Sequence, residues 1–310
     1  MKNLTPVLLL AAVLFGCGQQ KDPIKKAPKK AAHATNNAPL FHYGNPVLLQ
    51  YDRYIAGLDT QLINMGSQAV DTFQLLFKNQ PPAVCDTAVY LFSQFHNRVC
   101  FYLNMNDSTN YDNFLFTDEG KKAVLSKKQK AIKLALDKNG FGLASEEGGA
   151  FLVQDHHFIA QHFGKFVTAP MKQYLTQLDK DKKDGFEEDA GLTISPTMLA
   201  DRTIWWEKFS KANPNFIYTT DAAKTYRYML YFLMEGMENT SVRAYISNNL
   251  SEDSLSEYFH TAWSYVQEKY PQSNANTVIT PHLNAWLKRD SAEIMQALEN
   301  FQKEYKSPWE

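Results

Sequence analysis

Residues that start helices recur at wide intervals along this chain and constrain its fold more than any other feature. At Asn45-Pro46 and Ser195-Pro196, a side chain able to cap a helix stands directly before a proline. Proline fits the first helical position because its missing N–H has no partner there. Thr280-Pro281 repeats this pattern, and Thr168-Ala169-Pro170 has it in a looser form. We therefore predict that a helix begins at each of these positions.

Apolar residues between these starts follow helical spacing. A separation of three or four residues is typical of a helix that buries one face. It predicts a long helical segment from Leu48 to Phe77 and another from Val89 to Tyr102. The same spacing predicts later helices at 198–209, 219–246, 254–270, 281–286 and 292–305.

One stretch, from Phe141 to Gln154, lacks this spacing. Two short apolar runs flank Gly148-Gly149 there, which is typical of two strands joined by a glycine turn. A two-stranded hairpin is marginal alone, so we expect it to pack on helices. The sequence thus predicts a mainly α fold, a multi-helix bundle with one small β-hairpin near 141–154.

The run from Asp179 to Asp189 is charged apart from one glycine and one phenylalanine. Such composition is typical of an exposed loop. We therefore predict one helical domain over 41–310, with a possible subdivision near 179–192.

The first 17 residues have the pattern of a secretory signal. Lys2 precedes the apolar run that ends at Cys17, and this run is shorter than the roughly 20 residues that span a bilayer. Leu14 and Gly16 before Cys17 resemble the lipobox of bacterial lipoproteins. The resemblance implies that residues 1–16 are a removed signal peptide. It also implies that Cys17 carries lipid, palmitate included, that anchors the protein to a membrane.

Residues 17–40 combine this cysteine with a segment rich in lysine, proline and alanine, which predicts a flexible tether. A short lipobox, such a tether and a body rich in Tyr, Asn and Phe resemble envelope lipoproteins of the Bacteroidetes. The resemblance implies a place in the bacterial cell envelope. Gly18 provides no aspartate retention signal after the anchor, which favours the outer membrane over the inner one.

Charge and cysteine positions exclude further possibilities. From Phe41 onward there are 26 basic and 32 acidic residues, and this net charge of −6 disfavours a nucleic-acid partner. Cys85 and Cys100 lie on one predicted helix, about 22 Å apart at 1.5 Å per residue. A disulfide requires Cα atoms within about 7 Å, so we predict two buried free thiols.

Asp155, His156, His157 and His162 form the densest group of metal-capable side chains. Imidazole and carboxylate groups are ligands for zinc and similar divalent ions. The spacing between His157 and His162 is five residues, whereas helical ligand pairs stand three or four apart. Asp155 could equally cap the helix that follows the hairpin.

Trp205 and Trp206 are neighbours on a predicted helix, where successive side chains diverge by about 100°. Both therefore cannot face the core. An exposed tryptophan could stack on a sugar or anchor a protein partner, and partial burial against another helix is the alternative.

The sequence lacks the motifs of several common enzyme classes: there is no HExxH, no G-x-S-x-G and no phosphate-binding or dinucleotide glycine loop. We therefore predict a non-enzymatic envelope lipoprotein, a binding or scaffolding module for a protein or glycan, with no cofactor beyond the lipid on Cys17. The alternative is a metal-dependent hydrolase that uses the histidine cluster at 155–162.

Overall fold

The computed structural model describes residues 44–106, 110–115, 123–146, 149–246 and 249–305. Within these ranges the fold is mainly helical, as predicted, with twelve helices and four two-stranded antiparallel sheets. The signal peptide, Cys17 and the tether lie outside the described residues. The chain divides into two compact units, Met1–Leu175 (unit 1) and Thr176–Glu310 (unit 2).

Unit 1 contains the first helices and one hairpin. The helices are α1 (Pro46–Ala56), α2 (Met65–Phe77), α3 (Pro82–Asn104), α4 (Asp112–Leu115), α5 (Lys127–Lys138) and α6 (His156–Phe163), and α7 (Ala169–Asp184) begins in this unit. The hairpin consists of β1 (Phe141–Glu146) and β2 (Gly149–Gln154), paired in the register Phe141↔Gln154. The hairpin prediction is therefore confirmed.

Helix α3 is the centre of unit 1. It packs against α1, α2 and β2, and its apolar residues are buried along most of its length. Asn104 fixes the hairpin to this helix, because its side chain donates to the Leu152 carbonyl at 2.9 Å and accepts from the Leu152 amide at 2.8 Å. Cys85 and Cys100 are buried and are not joined by a disulfide, as predicted.

Asn139, which ends α5, joins three helices of unit 1. Its carbonyl oxygen accepts a hydrogen bond from His96 Nε2 on α3 at 2.8 Å, and its Oδ1 accepts from the Ser67 amide on α2 at 2.9 Å. Its Nδ2 donates to the Ala135 carbonyl of α5 at 2.8 Å. Helix α2 can approach this closely only because residue 66 is glycine: a Cβ atom there would lie 2.1 Å from the Asn139 oxygen.

Unit 2 contains the remaining elements. Its helices after α7 are α8 (Pro196–Ala212), α9 (Thr219–Glu235), α10 (Glu257–Lys269), α11 (Asn274–Lys288) and α12 (Ser291–Glu304). Its strands are β3 (Glu187–Glu188), β4 (Gly191–Leu192), β5 (Gly236–Met237), β6 (Thr240–Ser241), β7 (Arg243–Ile246) and β8 (Asn249–Leu255). These strands form three hairpins, in which β3 pairs with β4, β5 with β6 and β7 with β8. The core includes the fully buried indoles of Trp206 and Trp263.

The predicted loop at 179–189 is wrong, because α7 continues to Asp184. Lys180 pairs with Asp184 and Lys183 with Asp179, each at 2.8 Å and one helical turn apart. Such pairs support a helix that few apolar residues would stabilise. The chain then reverses in a two-residue turn between β3 and β4.

The long helix predicted over 219–246 is also wrong in its second half. Helix α9 ends at Glu235, and Gly236 takes a φ of +69°, which a side chain rarely adopts. Two hairpins follow, and β8 replaces the first residues of the helix predicted from 254.

Two of the proline starts are confirmed with their capping side chains. Asn45 accepts a hydrogen bond from the Val47 amide, and Ser195 accepts one from the Met198 amide. Helix α7 also begins at Ala169 as expected. Pro281, in contrast, lies inside α11, which begins seven residues earlier after the capping residue Ser273. Among the described helices, none combines the length and apolar character needed to cross a bilayer.

Candidate functional site

A buried arginine on α8 organises the α7 residues of unit 2 around it. Arg202 is only 4% exposed, and its Nε donates to Asp181 Oδ1 at 3.0 Å while Nη1 donates to the Gly185 carbonyl at 2.9 Å. Asp181 also accepts hydrogen bonds from Trp206 Nε1 at 2.9 Å and from the Gln177 side chain at 2.7 Å. This network fixes the C-terminal part of α7 against α8.

Burial dominates the electrostatics of this network. Desolvation raises the pKa of Asp181, although the Arg202 guanidinium and the Trp206 N–H favour its charged form. The third guanidinium nitrogen, Arg202 Nη2, forms no hydrogen bond with any residue that the structure describes. Asp184 Oδ2 lies 3.8 Å from Nη2, which is beyond hydrogen-bond distance.

A cleft of about 330 Å³ opens beside this arginine. Helix α7 contributes Gln177, Lys180 and Asp184 to its lining. Helix α8 contributes Asp201, Arg202, Trp205 and Lys208, with two aliphatic side chains, and Tyr270 after α10 completes it. The lining therefore combines aromatic rings with hydrogen-bond donors and acceptors of both charges.

The two adjacent tryptophans have different surroundings, as their divergence on a helix requires. Trp206 is fully buried, and its indole N–H is used by Asp181. Trp206 is thus inaccessible for direct contact with a ligand, contrary to its place in the predicted ligand-binding pair. Trp205 is half-buried and lines the cleft. Its ring stacks on Phe209 at 5.0 Å between centroids, so a ligand would meet the opposite face or the edge.

Tyr270 is held at the cleft by Asp201 of α8. The Tyr270 hydroxyl donates to Asp201 Oδ1 at 2.5 Å, and the hydroxyl of Tyr265 donates to the same atom at 3.1 Å. Lys208 Nζ lies 4.8 Å from the centroid of the Tyr270 ring, and Lys269 Nζ lies 5.2 Å from it. Burial raises the pKa of Tyr270, so its hydroxyl remains a donor at neutral pH.

The predicted metal ligands at 155–162 are placed differently from a metal site. Asp155 caps α6, since its Oδ1 accepts from the His157 amide at 2.9 Å. His157 is exposed, whereas His162 packs on the Phe158 ring with 4.3 Å between centroids, and burial lowers its pKa. Residues five apart on a helix point about 140° from each other, which separates these two imidazoles. In the described part of the chain, which includes all four predicted ligands, no three His, Cys, Asp or Glu side chains come together to hold an ion.

Sequence reasoning found Trp205 but missed the polar residues of the cleft. Asp201, Trp205 and Lys208 stand four and three residues apart, so the spacing that places them on one helical face was present. Nothing in the sequence indicated that Arg202, one residue from that face, would be buried.

No protein-family model, curated protein or solved structure matches this chain significantly. The features of the chain that bear on its function are therefore the residues of the cleft and the amino-terminal sequence.

Proposed function

We propose that this protein is a lipid-anchored binding protein of the bacterial cell envelope, and that the cleft in unit 2 binds a glycan. One observation carries the proposal: the half-buried Trp205 lies on the wall of a cleft whose other groups donate and accept hydrogen bonds. The lipobox ending at Cys17 supports the anchor, and the absence of an aspartate at Gly18 favours the outer membrane.

Sugars have a mixed surface that corresponds to this lining. One face of a pyranose ring presents C–H groups, which pack on an aromatic ring such as that of Trp205. Its hydroxyl groups both donate and accept, so they can pair with the ammonium groups of Lys180 and Lys208 and with the carboxylates of Asp184 and Asp201.

The dimensions favour a glycan over a protein partner. A volume of about 330 Å³ lies at the lower end of the range of small-molecule pockets, roughly 300–1,000 Å³. A protein interface would bury about 800 Å² on each partner, which is far more than this cleft offers. The cleft is therefore suited to a segment of an oligosaccharide.

Calorimetric titration with a panel of soluble oligosaccharides tests the proposal. The panel contains trimers of neutral hexoses, N-acetylhexosamines and uronic acids. We expect at least one class to bind and the Trp205→Ala variant to bind it at least tenfold more weakly, since stacking on the indole is lost. Tyr54→Ala is the matched control, because this aromatic side chain is 37% exposed in unit 1. An absence of binding across the panel, or equal affinity of Trp205→Ala and wild type, refutes the glycan site.

The anchor is tested separately in cells that process lipoproteins. Wild-type protein is expected in the membrane fraction with palmitate attached, and Cys17→Ser is expected to lose both. Recovery of Cys17→Ser in the membrane fraction at the wild-type level would contradict the anchor.

A further inference from the structure

We propose that the cleft selects glycans that carry a carboxylate, such as uronic acids, and that Arg202 Nη2 receives this group. The inference rests on the proposed function and names the ligand class of the same cleft. Its basis is a buried guanidinium that lines the cleft with two of its three nitrogens paired and the third without a hydrogen bond to any described residue.

Arg202 Nη2 has no hydrogen-bond acceptor among the described residues, but it is buried, so a ligand oxygen reaches it only when Asp184, 3.8 Å away, moves aside. Nε is paired with Asp181 and Nη1 with the Gly185 carbonyl, so the guanidinium plane cannot rotate without breaking both bonds. Nη2 is therefore fixed in direction, and a buried donor without an acceptor is unfavourable. A ligand oxygen placed there would complete the hydrogen bonds of the arginine. A carboxylate does so best, since a bond between two charged groups is roughly twice as strong as a neutral one.

Charge balance at the cleft also favours an anionic ligand. Each nearby carboxylate already has a cation: Asp181 pairs with Arg202, Asp184 with Lys180, and Asp201 with Lys269. Lys208 lies over the Tyr270 ring and forms no ion pair within the described ranges. The cleft therefore has one uncompensated positive charge before a ligand binds.

The positive charge of the cleft can attract a ligand only at short range. Residues 41–310 carry a net charge of −6, so the protein as a whole repels anions at long distance. Selection of an acidic sugar must come from direct contact at Arg202 and Lys208. The contact at Arg202, which is buried, is screened by salt much less than interactions between separated surface charges.

Asp184 controls access to Nη2. Its Oδ2 lies 3.8 Å from Nη2 and 2.8 Å from Lys180 Nζ, and the lysine side chain is mostly exposed. A ligand carboxylate would occupy the position beside Nη2 that this aspartate partly covers. Removing the aspartate charge should therefore strengthen binding of an acidic sugar and leave a neutral sugar unaffected or bound more weakly.

Paired trisaccharides provide the test. Trimers of galacturonate, glucuronate and mannuronate are titrated alongside the corresponding neutral hexose trimers, at 0.05 M and 0.5 M NaCl. We expect one acidic trimer to bind at least tenfold more tightly than its neutral counterpart, and this preference to persist at 0.5 M NaCl.

Two variants assign the preference to the arginine. Arg202→Lys keeps the positive charge but removes the fixed Nη2 donor, so the tenfold preference should disappear. Asp184→Asn should bind the acidic trimer several-fold more tightly than wild type. If Arg202→Lys does not fold, as circular dichroism would show, Asp184→Asn decides alone, and unchanged or weaker binding of the acidic trimer overturns the inference.

The outcomes separate the two proposals. If neutral trimers bind as tightly as acidic ones and Trp205→Ala weakens both, the glycan site stands and the carboxylate selection is overturned. If no trimer binds, both proposals are refuted.

Discussion

Replacing Gly66 with alanine should destabilise unit 1 through a single steric conflict. The added Cβ would lie 2.1 Å from the Asn139 carbonyl oxygen and 3.0 Å from its carbon, whereas ordinary contact begins near 3.4 Å. Either α2 or the end of α5 must therefore move by more than about 1 Å, a large displacement in a close-packed interior.

The cost follows from the bonds that Asn139 makes. Movement of this residue breaks its hydrogen bonds to His96 Nε2 and the Ser67 amide, and each loss costs about 1 kcal/mol of stability. It also leaves the fully buried His96 donor unpaired, which costs about 1–3 kcal/mol more. Alanine has a helix propensity about 1 kcal/mol more favourable than glycine, which offsets part of the loss. We expect a net decrease of about 2–4 kcal/mol in the free energy of unfolding of unit 1.

Urea unfolding followed by far-ultraviolet circular dichroism measures this effect. With a slope of about 1–3 kcal/mol per molar urea, the midpoint for unit 1 should fall by roughly 1–2 M. All five tryptophans (205, 206, 263, 286 and 309) follow residue 175, so indole fluorescence reports unit 2 separately. Gly57→Ala is the matched control, because its Cβ would meet nothing closer than 3.5 Å. A midpoint for Gly66→Ala equal to that of this control would refute the reasoning.

Three further predictions concern buried charge, backbone strain and pH. Glu207 is 3% exposed, and its two carboxylate oxygens accept hydrogen bonds from the Asn274 and Ala275 amides at 2.7 and 3.0 Å. Glu207→Gln should therefore lower the free energy of unfolding of unit 2 by about 2–3 kcal/mol, measured by urea unfolding. A change within about 0.5 kcal/mol would contradict this prediction. Ala190 has a φ of +52° in the two-residue turn between β3 and β4, a conformation that favours glycine. Ala190→Gly should therefore raise the free energy of unfolding of unit 2 by about 0.5–1 kcal/mol. A lower melting temperature for this variant would contradict the prediction. Burial lowers the pKa of His96 from 6.5 to about 4 in the folded protein. Between these two values the unfolded state binds a proton at His96 and the folded state does not. The stability that His96 contributes is therefore complete above about pH 6.5 and falls as the pH decreases towards 4. His96→Gln should remove this part of the slope, up to about 3 kcal/mol over the interval, and identical pH profiles of the two proteins would disprove the assignment.

Local signals in the sequence predicted the features of the fold that depend on neighbouring residues. The capping side chains of Asn45 and Ser195 form their bonds within the next three residues, and the β1–β2 hairpin likewise pairs residues that are close in the sequence. The mainly helical class follows from such signals.

Features that depend on distant residues were missed. Helix α7 continues into the charged run as far as Asp184, and besides its own i,i+4 pairs it is held by Arg202, about twenty residues further along the chain, which pairs with Asp181. The cleft arises in the same way, since Tyr270 is held there by its hydrogen bond to Asp201, 69 residues away in the sequence. These two long-range pairs have no signature in a single sequence. The hairpin that begins at Gly236 is local and was missed for a different reason, because apolar residues continue past Gly236 and extend the spacing of α9.

The reactivity of the two buried thiols of α3 can report how often unit 1 opens. Burial raises the pKa of the Cys85 thiol to about 11, so very little of the reactive thiolate is present at neutral pH, and both sulfur atoms are shielded from solvent. A maleimide or iodoacetamide reagent can therefore modify Cys85 and Cys100 only during moments when α3 separates from its neighbours. The modification rate, read by mass spectrometry on intact cells, would report how often this half of the protein opens in its natural surroundings.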